Sequence, residues 1–102
     1  MTDESTLPSE FTPQSVIRFT DAEPILRREE DGAFLFDPDT ADLSCLNDVA
    51  LLVWEGIDGS RNAGDIAASI AQAFQDVTGE EVLADVLSFL SLLAGAGYVE
   101  KA

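Results

Sequence analysis

The sequence predicts an α+β domain, a three-stranded antiparallel sheet followed by three helices. Three observations carry that expectation. Turn chemistry at Asp31-Gly32 and at Asp37-Pro38-Asp39-Thr40 cuts residues 25–46 into three short extended runs. After Asn47 the apolar pattern changes from strand-like runs to a helical period. From there on, cap residues and glycines divide the chain into three helical segments.

Residues 25–30 form the first expected strand, with imperfect alternation, and residues 33–36 form the second across the Asp31-Gly32 turn. Asp42, Leu43, Ser44, Cys45 and Leu46 make a short third strand. Three such strands fold only if one face is covered, and the cover has to come from the second half of the chain. Asn47 caps a helix starting at Asp48 whose apolar face is Val49, Ala50, Val53, Trp54 and Ile57, widened by Leu52, with Gly59 just past its end. A second helix begins near Asn62 and turns Ile66, Ile70, Ala73, Phe74 and Val77 inward. The third opens on a capping box, Thr78 with Glu81 three residues on, and carries a wide apolar stripe: Val82, Leu83, Val86, Leu87, Phe89, Leu90 and Leu93. Gly95-Ala96-Gly97 ends it and Tyr98-Val99 forms a short apolar tail. This order of elements is winged-helix-like.

Residues 1–24 read differently. They hold three of the four prolines among Ser, Thr and acidic residues, and are expected to form a mostly flexible arm ahead of a domain spanning 25–102. One piece, residues 15–19, is strand-capable; it can dock on the body or occupy the free edge of the third strand.

Composition excludes several functions. The chain has 20 acidic and 5 basic residues, a formal charge of −15. That balance opposes nucleic acid and anionic membranes, and makes a basic partner the natural complement. Only Arg61 precedes the second helix and the third carries no basic residue, so no helix is equipped to enter a DNA groove. With no histidine and one cysteine there is no Ser-His or Cys-His pair, no conventional zinc site and no internal disulfide. The acids at Asp37, Asp39 and Asp42 lack the spacing of a calcium loop. No cofactor is expected. The chain shows no signal-peptide pattern and no apolar run near the roughly 18 residues of a membrane span, so a cytoplasmic, soluble protein is expected.

What remains is protein or peptide binding. If the third strand lies at a sheet edge, its backbone can pair with an incoming strand. The third helix has more apolar surface than one packing face needs: Val82, Val86, Phe89 and Leu93 can face one way, and Leu83, Leu87 and Leu90 another. An edge strand beside such a helix makes a groove for an extended peptide; the alternative is that all seven residues pack internally.

A set of residues in fixed order adds to this. Leu46-Asn47-Asp48-Val49-Ala50, then Val53-Trp54, then Asp58-Gly59 resembles the signature of the PqqD family. The likeness continues through Ile66-Ala67, Phe74, Asp85-Val86, Phe89-Leu90 and Gly97-Tyr98-Val99, and covers about residues 25 to 100. Asn62 stands where the family usually has Thr, Gly64 weakens the start of the second helix, and residues 1–24 are not covered.

The resemblance implies a RiPP recognition element, a non-enzymatic module that binds the leader of a ribosomally made precursor peptide. The leader adds as a strand and is presented to a modifying enzyme, often a radical S-adenosylmethionine protein. It implies backbone pairing along Asp42, Leu43, Ser44, Cys45 and Leu46, and contacts from Val82, Asp85, Val86, Phe89 and Leu93. A monomer or weak dimer is expected. The alternatives are an adaptor using the same edge for another protein, and a degenerate transcription-factor-like domain that dimerises.

Overall fold

The computed structural model describes residues 11–74 and 76–102. Two tight turns build the sheet. Strand β2 (Ile25–Glu29) pairs antiparallel with β3 (Gly32–Asp37), which pairs antiparallel with β4 (Asp42–Leu46), giving the order β2-β3-β4. Glu29 stands opposite Gly32, so the first turn is Glu30-Asp31, one residue earlier than the sequence suggests, and Gly32 opens β3. The second turn closes at Asp37 opposite Asp42, with the Asp37 side chain accepting from the Asp39 N–H at 2.9 Å and Ala41 in the left-handed region at φ 67°.

Alternation then sorts the side chains. Ala33, Leu35 and Leu46 point into the core, while Phe34, Phe36 and Leu43 face out on the opposite side of the sheet.

Three helices cover the inner face: α1 (Asp48–Gly56), α2 (Ala63–Ala73) and α3 (Gly79–Gly95). Each starts at a side-chain cap. Asn47 accepts from the Ala50 N–H at 2.8 Å, and Asn62 from the Asp65 N–H at 2.7 Å. Thr78 and Glu81 form the reciprocal capping box, each side chain accepting from the other's backbone N–H at 3.1 and 3.0 Å. The core is wholly apolar among the described residues; Val53, Ile66, Val86, Leu90 and Leu93 are its largest sealed helical members. Several expected inward positions differ. Trp54 is only half-buried, packing against Phe19 and Tyr98 at ring-centroid distances of 4.7 and 6.4 Å, and Ala73 and Val77 are exposed. The first helix ends at Gly56, before Gly59; that glycine is left-handed at φ 84°, and its N–H donates to the Ile17 carbonyl at 3.0 Å.

The expected arm is where the sequence reading departs furthest. Residues 1–10 of it lie outside the described residues, but from Phe11 onward the chain is packed. Strand β1 (Ile17–Phe19) pairs with β5 (Val99–Lys101), the strand formed by the expected apolar tail, and Ile17 is fully buried. Residues 13–17 also lace onto the start of α2: the Gly64 N–H donates to the Pro13 carbonyl at 2.8 Å and the Ala63 N–H to the Ser15 carbonyl at 2.9 Å. Gly64 is explained by this contact, since a Cβ there would lie 3.1 Å from the Pro13 carbonyl oxygen. The segment therefore does not lie on the edge of β4, and a chain cut at residue 20 loses part of its core. The exposed Arg18–Glu100 ion pair at 2.7 Å adds at most about 1 kcal/mol to this pairing. Among the described residues, no helix is long and apolar enough to cross a membrane.

Replacing Ile17 by Ala is expected to lower the unfolding free energy by about 2–5 kcal/mol in a denaturant titration. A change under about 0.5 kcal/mol, the size typical of surface sites, would return this segment to the status of an arm. A second expectation concerns the chain's single tyrosine. Burial, reinforced by the nearby Asp37 carboxylate, raises the Tyr98 phenol above its ordinary value of 10.0. The folded state favours the neutral phenol, so its contribution is intact below the unfolded value and is lost as pH rises through the folded one. Phenolate absorbance should show a folded midpoint above 10, brought down by Asp37→Asn; an unshifted midpoint in the folded protein contradicts the burial.

Candidate functional site

β4 is an edge strand: it pairs with β3 on one side, and no strand among the described residues pairs with the other. Alternate N–H and C=O groups of such a strand turn outward. The two edges of the sheet are not alike. β2 presents Arg27, Arg28 and Glu29, with Arg27 and Glu29 paired at 3.3 Å and Arg28 paired with Glu55 of α1. Charge of this kind is how edges are kept from pairing with strangers. The middle of β4, Leu43-Ser44-Cys45, carries none.

Behind this open edge lies a groove of about 550 Å³. Ser44, Cys45 and Leu46 form one rim, and Asn47, Val49, Ala50 and Val53 at the strand–helix junction form its base. The far wall is α3, which contributes Asp85, Ser88, Phe89 and Leu92. These four stand at i, i+3, i+4 and i+7, a single stripe on the helix surface. Phe89 is half-buried and Leu92 is 59% exposed, so the wall presents accessible apolar surface beside the polar Asp85 and Ser88.

Of the residues expected from the sequence, Ser44, Cys45, Leu46, Asp85 and Phe89 are brought together here. Asp42 and Leu43 belong to the same strand but do not line the groove, and Leu43 faces the other side of the sheet. Val82, Val86 and Leu93 are a correction. Each is at most 2% exposed, because α3 packs against α2, β5 and α1 and this stripe is sealed in the core, and their side chains cannot reach a ligand. Ser88 and Leu92 were missed by the sequence reading. Their signal was the period itself: continuing from Asp85 and Phe89 at helical spacing leads to 88 and 92.

Two local features hold the groove in shape. Only Asn47 separates β4 from α1, and its cap bond locks the helix onto the strand end. Below that junction Gly32 lies against the end of β4: its φ is +127°, and a Cβ there would sit 2.0 Å from the Leu46 carbonyl oxygen. No group of His, Cys, Asp or Glu among the described residues is arranged to hold a metal ion. Cys45 is a free, exposed thiol.

A three-stranded sheet closed by three helices, with a groove between its open edge and the last helix, defines the architectural class. The profile described as Coenzyme PQQ synthesis protein D (PqqD) matches residues 32–99, and the chain belongs to that family. The match begins at Gly32, so β1 and β2 lie outside it. No curated protein sequence matches the chain significantly. Among solved structures, the chain is similar to the PqqD truncation of Methylobacterium extorquens PqqCD, described as a stand-alone RiPP recognition element. The identity is 27% and the TM-score 0.73, over 92% of this chain and 98% of that one. The fold is also that of lasso peptide synthetase B1 complexed with its leader peptide, at 19% identity and TM-score 0.68 over 83% and 98% of the two chains. TbiB1 in complex with the TbiA(beta) leader peptide matches at 22% identity and TM-score 0.67, over 81% and 94%.

Gly32→Ala tests the close approach beneath the groove. It is expected to destabilise the protein by about 2 kcal/mol or more, since the added methyl meets backbone and the φ is strained. Amide shifts should move at Leu46 and Asn47. Unchanged stability and shifts would mean that β4 is held without this contact.

Proposed function

We propose that this protein is a non-enzymatic peptide chaperone that binds the leader segment of a ribosomally made precursor peptide in the groove between β4 and α3. One observation carries the proposal: a strand edge unpaired among the described residues, uncharged along Leu43-Ser44-Cys45, and a helix stripe that exposes the apolar Phe89 and Leu92 face the same groove. The edge supplies main-chain hydrogen bonds in the manner of strand addition, and the Phe89–Leu92 wall supplies pockets for side chains. Two of the similar structures are complexes with leader peptides, and the third is described as a stand-alone RiPP recognition element.

On this reading the module has no catalytic role; it delivers the leader to a modifying enzyme, a radical S-adenosylmethionine protein by the family's resemblance, in the cytoplasm where the precursor is made. The groove is complete within one chain, so a monomer suffices. The acidic surface, −15 overall, matches a leader or enzyme partner with basic residues.

Titrating the isotope-labelled protein with the leader of a precursor peptide encoded beside its gene tests this. Amide shifts are expected along Asp42–Leu46 and at Asp85, Ser88, Phe89 and Leu92. Leu92→Ser, a change at an exposed site, should weaken binding about tenfold with the fold intact. Raising salt should lower affinity mainly through the association rate. Shifts confined to other surfaces would overturn the site, and salt-insensitive binding would overturn the basic-partner reading.

A further inference from the structure

Seven large hydrophobic side chains are exposed among the described residues, and four of them gather on the sheet face turned away from the helices: Ile25, Phe34, Phe36 and Leu43. Strand register arranges them. Ile25 stands opposite Phe36, and Phe36 opposite Leu43, so the three form one row across the sheet. The next row is Arg27, Phe34 and Cys45. Leu43, the most exposed of the seven at 63%, ends the first row at the open edge of β4. Arg27, the one charged member of these rows, stands on β2, two strands away from that edge. The other end of the row is Ile25, itself exposed at the edge of β2, whose charges follow further along the strand at Arg27, Arg28 and Glu29. The row is therefore apolar and unfinished, and its β4 end lies on the strand on which a peptide would add.

Resting on the function proposed above, we infer that the bound segment is apolar on both faces: a contiguous apolar run of about three to five residues, not an alternating one. A strand paired with β4 places one side chain directly opposite Leu43, at a Cβ separation of about 5 Å, as the fourth member of the Ile25-Phe36-Leu43 row. The side chains before and after it on the peptide point the other way, into the groove beside Phe89 and Leu92. The groove alone would select only every second residue. The outer row adds selection at the residues between, through the side chain of Leu43.

Two synthetic peptides of about 12 residues separate the two demands. Both carry the same Lys-rich flanks; one has Val-Ile-Val-Ile-Val at its centre and the other Val-Thr-Val-Thr-Val, of similar shape and strand propensity but polar on one face. In fluorescence anisotropy with the full chain, the contiguous peptide should bind about tenfold more tightly. Leu43→Thr, at an exposed site, should bring it to the level of the alternating peptide and leave the alternating one unchanged, whereas Leu92→Ser should weaken both. Equal affinities, or a Leu43→Thr effect shared by both peptides, overturn this proposal and leave the groove reading standing if Leu92→Ser still weakens both. So does a Leu43-dependent dimer in sedimentation with no change in peptide affinity, which would assign the row to a second copy. Absence of binding by either peptide, or indifference of both to Leu92→Ser, removes the groove reading and this proposal with it.

Discussion

The site depends on a junction one residue long. β4 ends at Leu46 and α1 begins at Asp48, so Asn47 must both leave the strand and cap the helix. Leu46 is buried on one side of it, and Gly32 admits the Leu46 carbonyl from beneath. One residue, one cap bond and one close backbone approach join the strand edge to the helix. Because α1 and α2 pack with α3, the orientation of that edge is transmitted to the α3 wall. A groove for an extended peptide needs such rigidity, since a strand can add only where the pairing edge and the side-chain pockets keep a fixed spacing.

The two edges of the sheet show how one small domain can invite pairing at one place and refuse it at another. β2 is defended by charges, one of them tied to α1 through Arg28 and Glu55. The middle of β4, Leu43-Ser44-Cys45, carries no charge, and Leu43 is exposed there. The formal charge of −15 opposes association between chains, against the tendency of an open apolar edge to associate.

Much of the architecture was legible. The caps at Asn47, Asn62 and Thr78 stand where the residues require them, because a cap is a local contract between one side chain and the N–H groups three residues on. The strands of the main sheet were legible for the same reason, as short runs between turn residues. The small sheet was not. Residues 15–19 read as strand-capable, but β1 and β5 lie far apart in the chain, and three residues in each do not say that they pair. Gly64 read as a weak start to a helix until the Pro13 carbonyl was seen against it.

The sequence by itself determined the order of the main sheet's strands and of the helices, the helix starts, the acidic balance and the lack of histidine-based chemistry, because each follows from residue identity or short spacing. Tertiary structure decided which stripe of α3 is core and which is wall. Residues 82 to 93 are apolar on more than one face, and a helical period says which residues share a face without saying what that face meets. Only packing against α2, β5 and α1 assigns Val82, Val86 and Leu93 to the interior and turns Asp85, Ser88, Phe89 and Leu92 toward the open edge of β4.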